Sequence, residues 1–300
     1  MIEAAIVTAI CARLTSALAP SGEPLRPLRV DDHAAGWLNA HRAARLAAFA
    51  DIFRIDDDAI RFVPSLSNAQ ARTEALDGVA RVLAAEGVLT AWRDERYAIA
   101  PRFGAPPWFL LERAAARYFG VRTYAAHVNG LVDREGATSM WFARRSATKP
   151  IDPGMLDNLV GGGIAAGHTI AETVIKESWE EAGIGAALAR RARHVGTVDV
   201  RRMQPDGLQR ETIFVHDLAL PRDFTPGGQD GEVVGHRLVD LETAARLIAN
   251  DSGPDVVTVD ASLVVLDCLL RRGAIAADPR LRALAAPPAG APWSIVYNLE

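Results

Sequence analysis

Ile2, Ile6, Ile10, Leu14 and Leu18 recur every fourth position at the start of the chain, with Glu3 and Arg13 between them. That stripe predicts an amphipathic helix. Residues 1–20 superficially resemble a secretory leader, but the basic start is missing and Glu3 stands in its place, so the expectation is the first helix of a cytoplasmic protein. Ala-rich runs with a helical period predict further helices over 31–53, 69–86 and 108–119. Weak alternation at 59–63 and 96–100 predicts short strands, the second stopped by Pro101. Pro106-Pro107 resets the chain into the helix that Gly120 ends.

Beyond Gly120 the period changes to two. Segments 123–133 and 139–145 flank a short glycine-containing loop and read as a hairpin. Segments 194–203 and 209–220 are joined by Pro205-Asp206-Gly207, a turn sequence, and 232–239 is a further strand. Helices are expected at 241–249 and 257–272. The organisation is therefore a mainly helical N-terminal domain with short strands (1–120), an α/β domain (121–275) and a Pro/Ala-rich tail (276–300). No internal repeat is apparent.

Length agrees with two domains, since 300 residues is about twice the usual single-domain size. Lys plus Arg number 33 against 37 Asp plus Glu, a net charge of −4. With no overall basic field, a dedicated nucleic-acid binder is not expected. No stretch reaches the about 20 uninterrupted apolar residues of a membrane span. Cys11 and Cys268 lie at opposite ends of the chain in no paired spacing, so they are read as two reduced thiols.

The chemistry is concentrated in Gly-Gly-Gly-Ile-Ala-Ala-Gly-His-Thr and the helix behind it. Thr169 followed by Glu172 is a capping box that opens a helix, and Gly183 closes it. Glu177, Glu180 and Glu181 then fall within one arc of about 100°. Like charges so placed cost a few tenths of a kcal/mol per pair, roughly, unless a cation neutralises them. Hard divalent ions take such oxygen ligands together with phosphate oxygens. The plain alternative is a solvated charged face.

In register, Gly162, Glu177, Glu180, Glu181 and Gly183-Ile184 match a longer pattern, and here the segment resembles the Nudix box. His168 stands where that motif has its first Glu, Lys176 where it has Arg, and Ser178 at a hydrophobic position. Lysine keeps the charge but loses the bidentate fork of arginine. These departures, the upstream segment 148–167 and the strand around His127 look like the Nudix proteins related to the domain fused to fungal thiamine pyrophosphokinase. Segments 92–99 and 111–121 resemble the uncharacterised helical region that precedes that domain.

The resemblance implies an α+β fold, a Nudix-type mixed β-sheet sandwiched by helices behind a mainly helical N-terminal domain. It implies a phosphorus-anhydride hydrolase using Mg²⁺ or Mn²⁺ on a small-molecule diphosphate, thiamine diphosphate or its oxo and oxy analogues being the expected substrates. Glu177, Glu180 and Glu181 would be catalytic and metal-binding, with Lys176 orienting them or touching phosphate. Gly162 and Gly163 would admit the substrate by close backbone approach, and Arg144, Arg145, Lys149 and His127 would bind it. The general base stays open between Glu180, Glu211 and Glu232.

Other readings of the same residues also stay open. Residues 162–169 match a P-loop except that His168 replaces the lysine that must reach the phosphates, and no repeated βαβ pattern surrounds them. His127 and Asn129 share one strand face and are either substrate contacts or a satisfied pair in the sheet. Trp141, Phe142 and Trp179 are read as core. The function alternatives are a hydrolase of another nucleoside-diphosphate-linked compound such as ADP-ribose, and a non-catalytic ligand sensor. The N-terminal domain would cap the site, form a homodimer, or stabilise the fold.

Overall fold

The computed structural model describes residues 2–20, 22–134, 136–276 and 278–285, so most of the expected tail lies outside the described residues. Helix α1 (Ala4–Ala17) buries Ile6, Ile10 and Leu14, the middle of the predicted stripe. Burying each is worth roughly 1.5–3 kcal/mol. Next come β1 (Leu25–Val30), β2 (His33–Asn39), α2 (Ala40–Leu46), β3 (Phe53–Ile55), β4 (Ile60–Phe62) and α3 (Ala69–Ala85). The hairpin β5 (Arg96–Ile99) and β6 (Phe109–Glu112) follows, then a 3₁₀ turn (Arg113–Ala115) and α4 (Ala116–Phe119).

Two predicted helices are corrected. The run 31–53 is strand, helix and loop, and 109–112 is strand. Asp31 sits at φ 51° in the turn that folds β2 back on β1, and Gly36 packs so tightly that a methyl there would lie 2.2 Å from the Phe119 carbonyl oxygen. Tertiary pairing thus overrides the helical preference of the alanines. The sheet has the order β2-β1-β4-β3 among the described residues.

The second half begins with the long strands β7 (Arg122–Arg134) and β8 (Ala137–Arg145), then β9 (Leu156–Asn158), β10 (Val160–Gly163), α5 (Ile170–Ala182) and α6 (Ala186–Ala189). It continues with β11 (Arg193–Gln204), β12 (Gly207–Ala219), β13 (Val233–Asp240), α7 (Leu241–Ala249), α8 (Val259–Arg271) and α9 (Pro279–Ala285). The mixed sheet runs β11-β12-β7-β8-β13, with β12 parallel to β7. One edge of β7 changes partner midway. Residues 125–128 pair with β10, whereas 130–134 pair with β8. The sheet splits there, and a site can open in the split.

Helices cover both faces of this sheet. Tyr124, Ala126 and Val128 face α5 with Val174, Ala182 and Ile184, while Ala125, Ile213 and Val215 face α7 and α8. Helix α1 packs on that second layer rather than on the N-terminal sheet, and the Ile2 amide donates to the Ala274 carbonyl (3.0 Å). The N-terminal sheet, α3, the β5–β6 hairpin and α4 keep a separate core around Leu28, Leu76, Phe109 and Phe119. No helix among the described residues is long and apolar enough to cross a membrane.

Candidate active site

Helix α5 starts as predicted. The Thr169 hydroxyl accepts from the Glu172 amide (3.2 Å) and the Glu172 carboxylate accepts from the Thr169 amide (2.8 Å); Gly183 ends it at φ 64°. Its buried residues Val174, Ser178 and Ala182 fix its rotation on the sheet. Trp179 is 53 % exposed, not core as expected, whereas Phe142 is fully buried.

That rotation turns Glu181 inward. Its side chain is 6 % exposed; Oε2 accepts from the Gly161 amide (2.8 Å) and Oε1 lies 3.6 Å from Lys149 Nζ. Burial pushes its carboxyl up to about 8, against the opposing charge of Lys149. Glu177 packs on the neighbouring glycine: a methyl on Gly162 would lie 2.4 Å from Glu177 Cγ and Cδ. Burial raises the Glu177 pKa as well. Gly163 is equally constrained, since its methyl would lie 2.1 Å from the Tyr97 hydroxyl. These glycines let strand β10 pass between α5 and the N-terminal hairpin.

Lys176 Nζ bridges Glu177 Oε1 (3.0 Å) and Glu180 Oε2 (2.7 Å). It therefore contacts both carboxylates. Desolvation works against its charge, but the two hydrogen bonds outweigh that and raise its pKa. Lys149, expected to bind substrate, joins Glu232 Oε2 (2.6 Å) to the Glu181 side of the site. Burial alone would raise Glu232; Lys149 and Arg93 outweigh it and hold the carboxylate down at about 2.

Glu177, Glu180 and Glu181 share an arc without sharing a point, and among the described residues no three Asp, Glu, His or Cys side chains converge as a metal-binding group. In kind, however, Glu177 and Glu181 fit a hard divalent cation. Both are oxygen donors beside the glycine strand, and Glu181, raised by burial to about 8, needs a nearby cation to ionise fully at neutral pH. Glu180 is the outer member, 33 % exposed and held by Lys176.

The remaining expected substrate residues separate. Arg145 donates to Asp157 Oδ2 (2.8 Å) and to the carbonyls of Ile151 and Asp152, so it braces the loop that presents Lys149. Arg144 points elsewhere, to the carbonyls of Gly154 and Pro254 and the carboxylate of Asp255. His127 is buried under Gly161, with Nδ1 2.7 Å from Asn158 Oδ1. Asn158 donates to Asn129, Asn129 to Asp217, and Arg271 holds Asp217. This buried network stitches the split in the sheet, and His127 is also on the wall of the cleft beside Gly161.

Beside Gly161–Gly163 lies a polar cleft of about 160 Å³. Lys149 and Arg145 line it together with Arg93, Tyr97, Arg113 and Arg117 from the N-terminal half, which thus forms one wall. Its far corner is acidic. Glu211 accepts from Thr123 Oγ1 (3.0 Å), Gln209 donates to Asp260 Oδ2 (2.8 Å), and Asp260 Oδ1 is buried with no hydrogen-bond partner among the described residues. Burial and then Asp260 raise the Glu211 pKa. Of the base candidates outside α5, Glu232 thus sits beside Glu181 through Lys149, and Glu211 sits in the acidic corner. Tyr97, Arg93 and Asp260 were not singled out from sequence, because only the folding of the N-terminal hairpin and α8 onto β10 and β12 brings them here.

Comparison with known proteins adds the following. Residues 10–123 match the family described as a domain of unknown function (DUF4743), and residues 122–258 match the NUDIX domain. The chain is 37% identical over 251 residues to "Nudix hydrolase 24, chloroplastic" of Arabidopsis thaliana, covering 83% of this chain and 68% of that protein. It is 36% identical over 258 residues to "Nudix hydrolase 20, chloroplastic" of the same plant, again 83% and 68%. Among solved structures, a Deinococcus radiodurans protein, DR0079, is similar with TM-score 0.45 and 22% identity, over 58% of this chain and 99% of that one.

Proposed function

Because the chain belongs to the Nudix hydrolase family and is an enzyme of that class, we propose that it hydrolyses a small-molecule diphosphate to a monophosphate, with Mg²⁺ or Mn²⁺ held by Glu177 and Glu181. The observation that carries this is the inward Glu181, hydrogen-bonded by the Gly161 amide and flanked by Lys149 and Glu232. A divalent cation there supplies electrophilic activation of the phosphoryl group and a more acidic water. Lys149 and the arginines of the cleft bind and orient the anionic diphosphate. Glu232, kept ionised by its pairs with Lys149 and Arg93, holds Lys149 beside Glu181. Lys176 positions Glu177 and Glu180.

For the substrate we infer thiamine diphosphate or its oxo and oxy analogues. The resemblance of the box and its flanks supports this, and so does the two-ended cleft. A basic wall suits a diphosphate, and the buried Asp260 oxygen suits a nitrogen-rich ring that donates N–H groups.

The test is release of phosphate or of a monophosphate product from thiamine diphosphate and its analogues, ADP-ribose, dinucleotides and nucleoside triphosphates, with and without Mg²⁺. Turnover should require the cation and fall at least a hundredfold in Glu181→Gln with melting unchanged. Unchanged turnover in that variant refutes the assignment of Glu181. Preference for ADP-ribose refutes the thiamine reading and leaves the hydrolase. Tight calorimetric binding of a diphosphate with no product would establish a sensor instead.

A further inference from the structure

On the other side of Tyr97 lies a cavity of about 1180 Å³ that the hydrolytic reading does not use. It is bounded by segment 97–107, segment 164–175 with the first half of α5, and the sheet residues Tyr124, His194, Phe214 and His216. Most of its wall is apolar or aromatic. Phe103 packs edge-on against Tyr124 and Phe214, each 5.1 Å between ring centres, and His194 and His216 lie 5.3 Å apart beside them. Cavities of several hundred Å³ with such walls and a few fixed polar atoms are the usual form of small-molecule sites.

Three features define an occupant. His194 Nε2 is buried without a hydrogen-bond partner among the described residues, which is costly unless a ligand group meets it. Burial depresses the pKa of both imidazoles, that of His216 to about 4, so at neutral pH they present uncharged rings. At the rim, Arg102 and Arg190 are exposed, and neither has an ion-pair partner among the described residues. An apolar aromatic interior with a cationic rim calls for an amphipathic ligand with a flat body and an anionic end. Tyr97, whose hydroxyl packs on Gly163, separates this space from the diphosphate cleft.

We propose that this cavity is a second small-molecule site, taking a flat aromatic ligand that carries one anionic group. It borders the loop before α5 and the first turns of that helix, and Glu177, Glu180 and Glu181 do not line it.

The probe is 1-anilinonaphthalene-8-sulfonate, titrated by fluorescence into the full chain at neutral pH. Saturable one-to-one binding with blue-shifted emission is expected. Arg102→Glu with Arg190→Glu, both exposed, should weaken it at least tenfold with melting unchanged, and Ala192→Phe, which fills the space beside His194, should do the same. Inorganic pyrophosphate with Mg²⁺, which addresses the diphosphate cleft, should leave binding intact, and decanoate should displace the probe at least tenfold less well than naphthalene-sulfonate. Absence of saturable binding, indifference to the charge reversal, displacement by pyrophosphate or equal displacement by decanoate would each overturn the proposal. None of these outcomes depends on whether the chain hydrolyses a diphosphate.

Discussion

Gly162 shows how a single hydrogen atom holds the site open. An added methyl lies 2.4 Å from Glu177 Cγ and Cδ, so the glutamate must rotate away while the backbone stays in place. Gly162→Ala should therefore lower kcat at least tenfold, about 1.4 kcal/mol of lost transition-state stabilisation, and shift the melting temperature little. Steady-state kinetics beside a thermal melt checks this. The glutamates, Lys176 and the glycines were legible in the sequence because they are close along the chain and helix geometry fixes their relation. Arg144 and Arg145 were not distinguishable, since adjacent strand residues point to opposite faces and only the loops show which carboxylates await them. Asp260 and Tyr97 had no local signal at all.

At the scale of elements, the capping box and the stitched sheet make separate contributions. Thr169→Ala removes the cap of α5 and should cost about 1 kcal/mol, read as a lower urea midpoint with an unchanged slope. Asp217 belongs to the stitch across β7, β9 and β12. Burial would raise its pKa, but Arg271 and Asn129 outweigh that and depress it. A depressed carboxylate contributes stability that is present above its unfolded pKa of about 3.9 and is lost as pH falls through the folded value. Asp217→Asn should cost about 2 kcal/mol at pH 7, and the gap from wild type should close as urea melts are taken below pH 4. Helices α3, α5, α7 and α8 and the long strands were readable from period. The β1–β2 pairing was not, because its alanines favour helix until Asp31 turns the chain and Gly36 meets Phe119.

For the whole molecule, the joint between halves is made by backbone as well as side chains. Gly207, at φ 142°, sits so close to Arg117 that a methyl would lie 1.9 Å from its carbonyl oxygen, and Arg42 donates to the Pro205 carbonyl (2.9 Å) beside it. Gly207→Ala should cost at least about 2 kcal/mol and split one calorimetric transition into two, as the N-terminal sheet loosens from the β11–β12 turn. Because the hairpin and 3₁₀ turn that share a core with that sheet wall the cleft, the variant should also raise KM for the diphosphate. The long strands after Gly120 were visible in the sequence. The return of α1 to the second half was not, since an amphipathic stripe states that it needs a partner without stating which.

That return also matters while the chain is being made. Helix α1 leaves the ribosome well before its partners α7 and α8, which begin at Leu241 and Val259. At translation rates of 5–20 residues per second, Ile6, Ile10 and Leu14 wait roughly 10–50 s without a surface to cover them. The N-terminal sheet can close its own core in that interval, whereas the Nudix half must capture a helix synthesised long before it. A nascent chain halted after residue 240 should hold α1 accessible to protease, and the released chain should protect it.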